Sequence, residues 1–291
     1  MTVDTVRALV AADLARPADP EIQAVAEQLA TRPGVVAVLF YGARRRAAKD
    51  RGGPLDFYLL TESDAAYHGP GLAAWANRLL PPNVYAERIE GEDAKIAVIT
   101  LTSFHHRMRP KSWDTTLWAR FSQPATLAWC RDARTRAAVE AAIAAATETA
   151  LHWASRLTPD PADPATTWQA LHRATYAAEL RVEGADRVAG LFARHEDRYR
   201  RLHALLDRGA DPFTMRGAAG TWAGRAVVGK LLNAARLIKG AFTYRGGLTY
   251  LGRKIDRHAG RHLPETSWAR RHPVLSAPYL LWRTWRHRPP P

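Results

Sequence analysis

One aspartate, Asp56, stands in an otherwise apolar run and is the first residue of this sequence that could do chemistry. The run extends from Leu55 to Leu60, and a charge inside it is costly unless it is paired or binds a cation. A second apolar run, Val35 to Tyr41, ends at Gly42, and a basic loop joins the two runs. A glycine turn lets backbone amides approach phosphates, and a nearby carboxylate can hold a divalent metal against them. The pattern therefore indicates a phosphate-and-metal site. An ordinary pair of strands with one edge aspartate is the alternative.

The elements that must position these residues follow from the hydrophobic periodicity. The two apolar runs predict strands at 35–41 and 55–61, and Val84 to Ile89 with Lys95 to Leu101 predict a β-hairpin around a polar turn. Helical patterns, broken by prolines and glycines, cover most of the remainder. The predicted helical segments are 1–32 with a break at Pro17 and Pro20, 70–80, most of the chain from 102 to 157, 166–210 with a break at Glu183-Gly184, and 222–238. Residues 158–164 are predicted as a linker and 211–220 as a loop.

The charge of the chain favours an anionic partner. Its 291 residues are 47% hydrophobic and carry a formal net charge of +14. From Arg225 onward the only acids are Asp256 and Glu265. Such a balance suits nucleic acid, an anionic membrane surface or a phosphate-rich substrate. A high-GC genome also favours Arg and Ala and raises the charge without any function behind it. The tail at 253–288 interleaves Arg, His and Trp, which fits base stacking, a bilayer headgroup boundary or a solvated tail equally well.

Several classes of site are excluded by the motifs. One cysteine and eleven scattered histidines do not stand at zinc-ligand spacing, and we expect Cys130 to be a buried core thiol. The sequence has neither a Gly-x-Ser-x-Gly elbow nor a Gly-x-x-x-x-Gly-Lys-Ser/Thr loop. No apolar run approaches the length that spans a bilayer, and the N-terminus lacks the regions of a secretory signal. We therefore expect a soluble or peripheral protein.

A further pattern emerges when separated segments are taken in chain order. The segments are Phe40-Tyr41-Gly42, Leu55-Asp56-Phe57, Val84-Tyr85, Lys95-Ile-Ala-Val98-Ile-Thr100, Trp118-Ala-Arg120-Phe-Ser-Gln-Pro124, Tyr176-Ala-Ala-Glu179-Leu-Arg181 and Ala235-Arg236-Leu-Ile-Lys239-Gly240-Ala-Phe242-Thr243. They resemble the Tyr-Gly-Ser-Gly turn, the Leu-Asp-Phe, Gly-Val-Tyr and Lys-Tyr-Gly-Val-Ile-Ser strands, and the Ala-Gly-Arg-x-x-Lys-Pro, Tyr-x-Gly-Asp-x-Arg and Arg-x-x-x-Lys-Gly-Ile-Phe-Thr segments of one family. That family is the mitochondrial-type phosphatidate cytidylyltransferases, also called mitochondrial translocator assembly and maintenance proteins. The resemblance covers residues 34–245, and its last segment is the most specific.

The resemblance implies an α+β fold and an enzyme. The expected architecture is a polymerase-beta-type nucleotidyltransferase domain with a mixed sheet at 1–157, a mostly helical, winged-helix-like domain at 165–245, and a basic aromatic segment at 246–291. The implied reaction converts CTP and phosphatidate to CDP-diacylglycerol and pyrophosphate with Mg²⁺. A nucleotidyltransferase acting on another phosphorylated acceptor, and a degenerate protein that binds nucleotide or nucleic acid, are the alternatives.

The resemblance also implies roles for individual residues. Asp56 would hold Mg²⁺ on the CTP phosphates, while Lys95 and Arg120 would balance the triphosphate charge. The remaining implied site residues are Tyr41, Gly42, Ala43 and Arg44 for CTP; Arg181, Arg236 and Lys239 for phosphatidate; and Glu62, with either Glu87 or Asp93, for the metal. Ala43 departs from the family pattern, because a serine stands there in the resembling proteins and its hydroxyl could contact a phosphate. The basic tail would then place the protein in the cytoplasm, peripherally at the inner face of the membrane, with no specific nucleic acid as partner.

Overall fold

The computed structural model of the chain describes residues 2–42, 44, 53–158, 163–179, 185–206 and 212–243. In chain order the elements are α1 (Thr2–Leu14), α2 (Pro20–Ala30), β1 (Val35–Tyr41), β2 (Leu55–Thr61), α3 (Asp64–His68), α4 (Leu72–Leu79), β3 (Asn83–Ile89), β4 (Glu92–Thr100), α5 (Leu101–Arg107), α6 (Thr115–Phe121), β5 (Thr126–Cys130), α7 (Ala133–Leu157), α8 (Pro164–Ala177), α9 (Ala185–Arg194), α10 (Glu196–His203) and α11 (Pro212–Thr243). Several helices begin where a side-chain oxygen accepts a hydrogen bond from a first-turn N–H, as N-caps do. These caps are Ser63, Thr100, Asp114, Asp132 and Asp163.

The strands form one mixed five-stranded sheet in the order β3-β4-β2-β1-β5. The β2 and β4 strands are parallel, and the other neighbours are antiparallel. The predicted β3–β4 hairpin is confirmed, with a turn at Glu90 and Gly91, where φ is 50° and 78°. Positive φ at both central residues is the geometry that matches the right-handed twist of the paired strands. The predicted α+β class, a mixed sheet followed by a mostly helical region, is therefore confirmed.

The two faces of the sheet bury two separate apolar clusters, because successive strand residues point to opposite sides. Leu55, Phe57 and Leu59 of β2 belong to the smaller cluster, which α2 covers. Tyr58 and Leu60 belong to the larger cluster, to which α1, α6 and α7 contribute. Asp56 shares the face of Tyr58 and Leu60, so its carboxylate lies on the side of the larger cluster.

The helices after residue 163 extend the same larger cluster. Trp168 and Leu171 of α8, Tyr199 of α10 and Trp222 of α11 are buried in it with the residues of the sheet. The buried guanidinium of Arg198 on α10 links these layers, because it donates to Asp13 of α1 at 2.7 Å and to the Ser122 carbonyl at 2.7 Å. The packing positions α8 and α11 beside α6.

The structure corrects four local predictions. Thr126–Cys130, which lies within the region predicted to be mostly helical, forms the edge strand β5. Leu101 begins α5 after the Thr100 cap instead of ending a strand. The predicted loop at 211–220 is helical from Pro212, because α11 begins there. Cys130 is half-buried and not fully buried, and its thiol donates to the Asp132 carbonyl at 3.3 Å. The Glu183-Gly184 break, residues 159–162 of the predicted linker and the tail at 246–291 lie outside the described residues.

The chain divides into two compact units, Met1–Asn233 and Ala234–Pro291. The first unit contains the sheet and the helices around it, and the described part of the second unit is the end of α11. Within the described residues, no helix is both long enough and apolar enough to cross a membrane.

Candidate functional site

Asp56 and Lys95 are brought together by the parallel pairing of β2 and β4. The two residues are register partners at the start of their strands, so their side chains project from the same face of the sheet. Lys95 Nζ lies 4.0 Å from Asp56 Oδ1, and both side chains keep about a third of their surface exposed, 33% and 28%. The pair is therefore a solvent-accessible acid beside a cation at one end of the sheet.

The backbone at Gly42 lies directly against the Asp56 carboxylate. Tyr41, at the end of β1, is the register partner of Asp56, and Gly42 follows with φ at +92°. A Cβ at position 42 would stand 2.8 Å from Asp56 Oδ2. Glycine is therefore required at position 42 for two reasons: the positive φ and the close approach of the turn to the Asp56 carboxylate.

Arg120 brings a second cation to the same end of the sheet. It lies near the end of α6, where its Nη1 donates to the Tyr41 hydroxyl at 2.9 Å and its guanidinium carbon lies 5.1 Å from the Tyr41 ring centroid. Burial alone lowers the pKa of Arg120, but interactions with Tyr41, Tyr58, Glu179 and Asp56 outweigh burial and raise it well above its ordinary value. Arg120 is thus a permanent positive charge next to Asp56.

Aromatic rings pack around Tyr41, the residue that accepts the hydrogen bond from Arg120. The Tyr41 and Tyr58 centroids are 5.3 Å apart, and Tyr58 meets Phe121 edge-on at 5.0 Å. Burial, only partly opposed by Arg120, raises the pKa of Tyr41 far above its ordinary value, so its hydroxyl stays protonated. Tyr58 is 2% exposed, so it belongs to the buried support of the site.

Glu179 is a site residue that was not included among the sequence-predicted ones. It follows α8, is 8% exposed, and its charge is among those that raise the pKa of Arg120. The sequence offered a signal, because Glu179 belongs to a segment of the family resemblance. Its environment explains its placement: Gly229 of α11 packs so closely on Ala178 that a Cβ would stand 2.5 Å from the Ala178 carbonyl oxygen.

Arg44 lies near the same end of the sheet but is engaged in an ion pair. Its Nη1 contacts Glu92 Oε2 at the start of β4, three residues before Lys95. Only 15% of the Arg44 side-chain surface is exposed. Ala43, predicted with Arg44 to contact CTP, lies outside the described residues.

The structure does not bring Glu62 or Glu87 to Asp56. Glu62 follows the far end of β2, six residues and about 20 Å along the strand from Asp56, and it pairs with Arg131. Glu87 is the register partner of Ala94, which belongs to the smaller cluster on the opposite face of the sheet. There Glu87 pairs with Arg32 at 2.7 Å.

Asp93 is therefore the better of the two alternatives for an additional carboxylate. It precedes Lys95 by two residues on β4, so it projects to the face of Asp56, and it is exposed. Asp93 therefore lies about 7 Å along the strand from Lys95, the neighbour of Asp56.

A Mg²⁺ ion at Asp56 would need further ligands from a substrate. The described part of the chain contains no group of three His, Cys, Asp or Glu side chains that could hold a metal ion. Mg²⁺ commonly uses one or two carboxylates and completes its shell with waters and substrate phosphates. Asp56 fits that mode if a phosphate-bearing substrate supplies the other ligands.

The structure describes two of the three residues predicted to bind phosphatidate. Arg236 and Lys239 lie on α11 in the second unit, three residues apart. Arg181 lies outside the described residues.

A comparison with protein-family models and with curated proteins finds no match for this chain.

Proposed function

We propose that the chain is a phosphatidate cytidylyltransferase, which forms CDP-diacylglycerol and pyrophosphate from CTP and phosphatidate. The observation that carries the proposal is the grouping of Asp56, Lys95, Gly42 and Arg120 at one end of the sheet. In this proposal residues 1–157 form a polymerase-beta-type nucleotidyltransferase domain and residues 165–245 a winged-helix-like domain. The sequence resemblance supplies the choice of substrates.

The reaction brings two phosphate anions together, so the main requirements are positioning and charge neutralisation. A phosphate oxygen of phosphatidate attacks the α-phosphorus of CTP and forms a new P–O bond. The bond from that phosphorus to the bridging oxygen breaks, and pyrophosphate leaves with its electron pair. Bound Mg²⁺ would neutralise phosphate charge in this step.

The chain's own residues have complementary roles in the proposal. Asp56 would hold Mg²⁺. The Gly42 turn would bring its backbone amides close to the phosphates, which a larger residue at this position would prevent. Lys95 and Arg120 face the triphosphate, and Tyr41 and Glu179 fix the Arg120 guanidinium. Arg236 and Lys239 are proposed to bind the phosphatidate headgroup.

The first test is an assay of Asp56→Asn against Glu62→Gln. The proteins are incubated with α-labelled CTP, Mg²⁺ and phosphatidate, and labelled CDP-lipid is measured. We expect Asp56→Asn to lose about 100- to 1,000-fold of the activity, the scale of removing one electrostatic contact to the reacting groups. Glu62→Gln, on the same strand but far from Asp56, is the matched control and should keep full activity.

The outcomes separate the alternatives. If the wild type forms no CDP-lipid while a control enzyme does, the proposal is wrong. Activity with a sugar phosphate in place of phosphatidate would instead identify a nucleotidyltransferase with another acceptor. Full activity of Asp56→Asn would remove Asp56 from the chemistry.

A degenerate nucleotide-binding protein is the second candidate. The observation that favours it is the position of Lys95, which lies 4.0 Å from Asp56 and can neutralise that carboxylate without a metal. Tight CTP binding by equilibrium dialysis, equal with Mg²⁺ and with a chelator and without turnover, would support this candidate.

A further inference from the structure

The outer face of α11, defined here as Val227, Lys230 and Leu231, is an exposed surface with apolar and basic residues. Val227 is 59% exposed and Leu231 is 65% exposed, and Lys230 between them is also exposed. Their spacing of three and four residues places them on one side of the helix. Large apolar side chains this exposed are a signal of an interaction surface when they share one face.

The opposite face of α11 fixes the orientation of the helix within the first unit. Trp222 and Arg225 are each 7% exposed, and the Arg225 guanidinium lies 5.3 Å from the Trp113 ring centroid and 4.8 Å from that of Trp153. Gly229 packs on Ala178, as described above. Because this face is anchored in the core, the Val227–Leu231 side points to solvent.

The charge of α11 is complementary to an anionic surface. Its sequence from Pro212 to Thr243 contains no acid. Of its basic residues, Lys230 lies on the outer face between Val227 and Leu231, whereas Arg225 faces the core. An exposed helix face that combines apolar side chains with a basic one and has no acid can lie in the headgroup region of an anionic bilayer.

The position of α11 relative to the candidate site suits a lipid substrate. Asn233 Nδ2 donates to Thr116 Oγ1 of α6 at 3.4 Å, and α6 carries Arg120. Gly229 packs on Ala178, the residue before Glu179, and the charge of Glu179 acts on Arg120. A helix with its side chains is about 10–12 Å across, so a surface touching the outer face of α11 would lie about one helix diameter from α6.

We propose that the outer face of α11 docks on an anionic lipid bilayer and presents the Arg120 end of the site to the headgroups. The choice of a lipid partner rests on the proposed function, whereas the exposed residues and their charge do not. Docking requires no nucleotide, so it can be measured separately from cytidylyl transfer.

A second exposed apolar helix face provides a matched control. Leu72, Trp75 and Leu79 of α4 are 70%, 61% and 59% exposed. The helix precedes β3, whose first residue Asn83 pairs with Val98 near the end of β4 remote from Lys95. The α4 face therefore matches the α11 face in exposure but lies away from the candidate site.

The test is co-sedimentation of the full chain with phosphatidylglycerol vesicles, with phosphatidylcholine vesicles as the neutral comparison. We expect Val227→Ser/Leu231→Ser to weaken binding to the anionic vesicles about tenfold, because two exposed apolar side chains no longer enter the interface. Lys230→Gln should weaken it about fivefold at low salt. Leu72→Ser/Leu79→Ser should bind like the wild type.

A labelling experiment serves as a second measurement that does not depend on the serine variants folding. Cys130 is the sole cysteine of the chain, so a Cys130→Ala background accepts one environment-sensitive fluorophore at Leu231→Cys or at Leu72→Cys. We expect a blue shift on anionic vesicles only for the label at position 231. Equal shifts at both positions, or equal losses of binding in both serine variants, would overturn the proposal.

Further outcomes distinguish this proposal from its alternatives. If Val227→Ser/Leu231→Ser converts a dimer to a monomer in size-exclusion chromatography and leaves vesicle binding unchanged, the face binds a second copy and the proposal is wrong. Activity on short-chain, monomeric phosphatidate reports on the proposed function alone. We expect this variant to keep that activity while it loses activity on vesicle-borne phosphatidate.

Discussion

At the scale of single residues, the candidate site depends on how closely the Gly42 turn approaches Asp56. The acid, the turn and the cations come from separate parts of the sequence and meet because β1, β2 and β4 are neighbours in the sheet. The close approach of Gly42 leaves little freedom to the Asp56 carboxylate. Preorganisation of this kind is what positions charge for catalysis.

Two glycines with similar backbone angles allow the role of the approach to be measured. Gly42 and Gly53 have φ at +92° and +106°, but a Cβ would meet Asp56 Oδ2 at 2.8 Å only at Gly42, and nothing within 4 Å at Gly53. Alanine should therefore cost about 1–2 kcal/mol at either position for the positive φ. We expect only Gly42→Ala also to displace Asp56 and to reduce CDP-lipid formation, by up to about 100-fold. Urea denaturation and the labelled-CTP assay measure the two effects, and equal activities of the two variants would contradict this account.

Sequence reasoning identified Asp56, Lys95 and Arg120 but not which carboxylates join them. An acid inside an apolar run is visible in the sequence, and the structure groups it with both predicted cations. Glu62 could have been excluded as a metal ligand from strand length alone, because it lies beyond the far end of the strand from Asp56. Glu87 could not, because its face depends on the register between β3 and β4, which is a tertiary property.

At the scale of elements, the predicted strands and hairpin were recognisable because their apolar residues are nearly continuous or alternate regularly. The edge strand β5 was missed because it is only five residues long and lies between α6 and α7. The start of α11 was also missed, because the glycines of its first turns favour a loop by propensity. Packing of Trp222 and Gly229 on the core overrides that preference.

The packing of α8 against α10 predicts a pH dependence of stability. His172 of α8 is 3% exposed, its Nε2 has no hydrogen-bond partner within the described residues, and its ring lies 5.3 Å from that of Tyr199. Burial, with a smaller contribution from Arg198, lowers the pKa of His172 to about 4. In the unfolded chain the pKa of His172 is near its ordinary value of about 6.5. Between about pH 4 and pH 6.5, His172 therefore binds a proton in the unfolded chain but not in the folded chain.

The sign of the effect follows from that difference. The contribution of neutral His172 is fully present above about pH 6.5 and is lost as the pH falls toward 4, by up to about 3 kcal/mol. We expect the free energy of unfolding of His172→Phe to fall less steeply than that of the wild type between these pH values. Urea denaturation at several pH values measures both slopes, and identical slopes would disprove the assignment.

At the scale of the whole molecule, the sheet and the helices of residues 164–206 share the larger apolar cluster. The sequence predicted a mixed sheet followed by helices, and this order is confirmed. It could not predict that the Arg198–Asp13 pair would join an early helix to a late one, because such contacts depend on tertiary packing.

The shared cluster predicts that residues up to 206 unfold in one transition. Asp13→Ala would leave the buried Arg198 guanidinium without its carboxylate and should cost about 3–5 kcal/mol. Glu196→Ala, which breaks the exposed pair with Arg200, should cost less than about 1 kcal/mol. Tryptophan fluorescence and far-ultraviolet circular dichroism should report coincident transitions. Separate transitions for sheet and helices would show that the segments are energetically independent.

The outermost strands of the sheet bear on how the protein behaves when concentrated. An open sheet edge is a template on which another chain can add, and charged or short edge strands prevent this. The β3 edge carries exposed Glu87 and Arg88, and β5 is a five-residue strand whose pairing with β1 shifts register between Val38 and Leu39. Both edges thus resist intermolecular β-pairing, which protects the sheet from growing into β-rich aggregates.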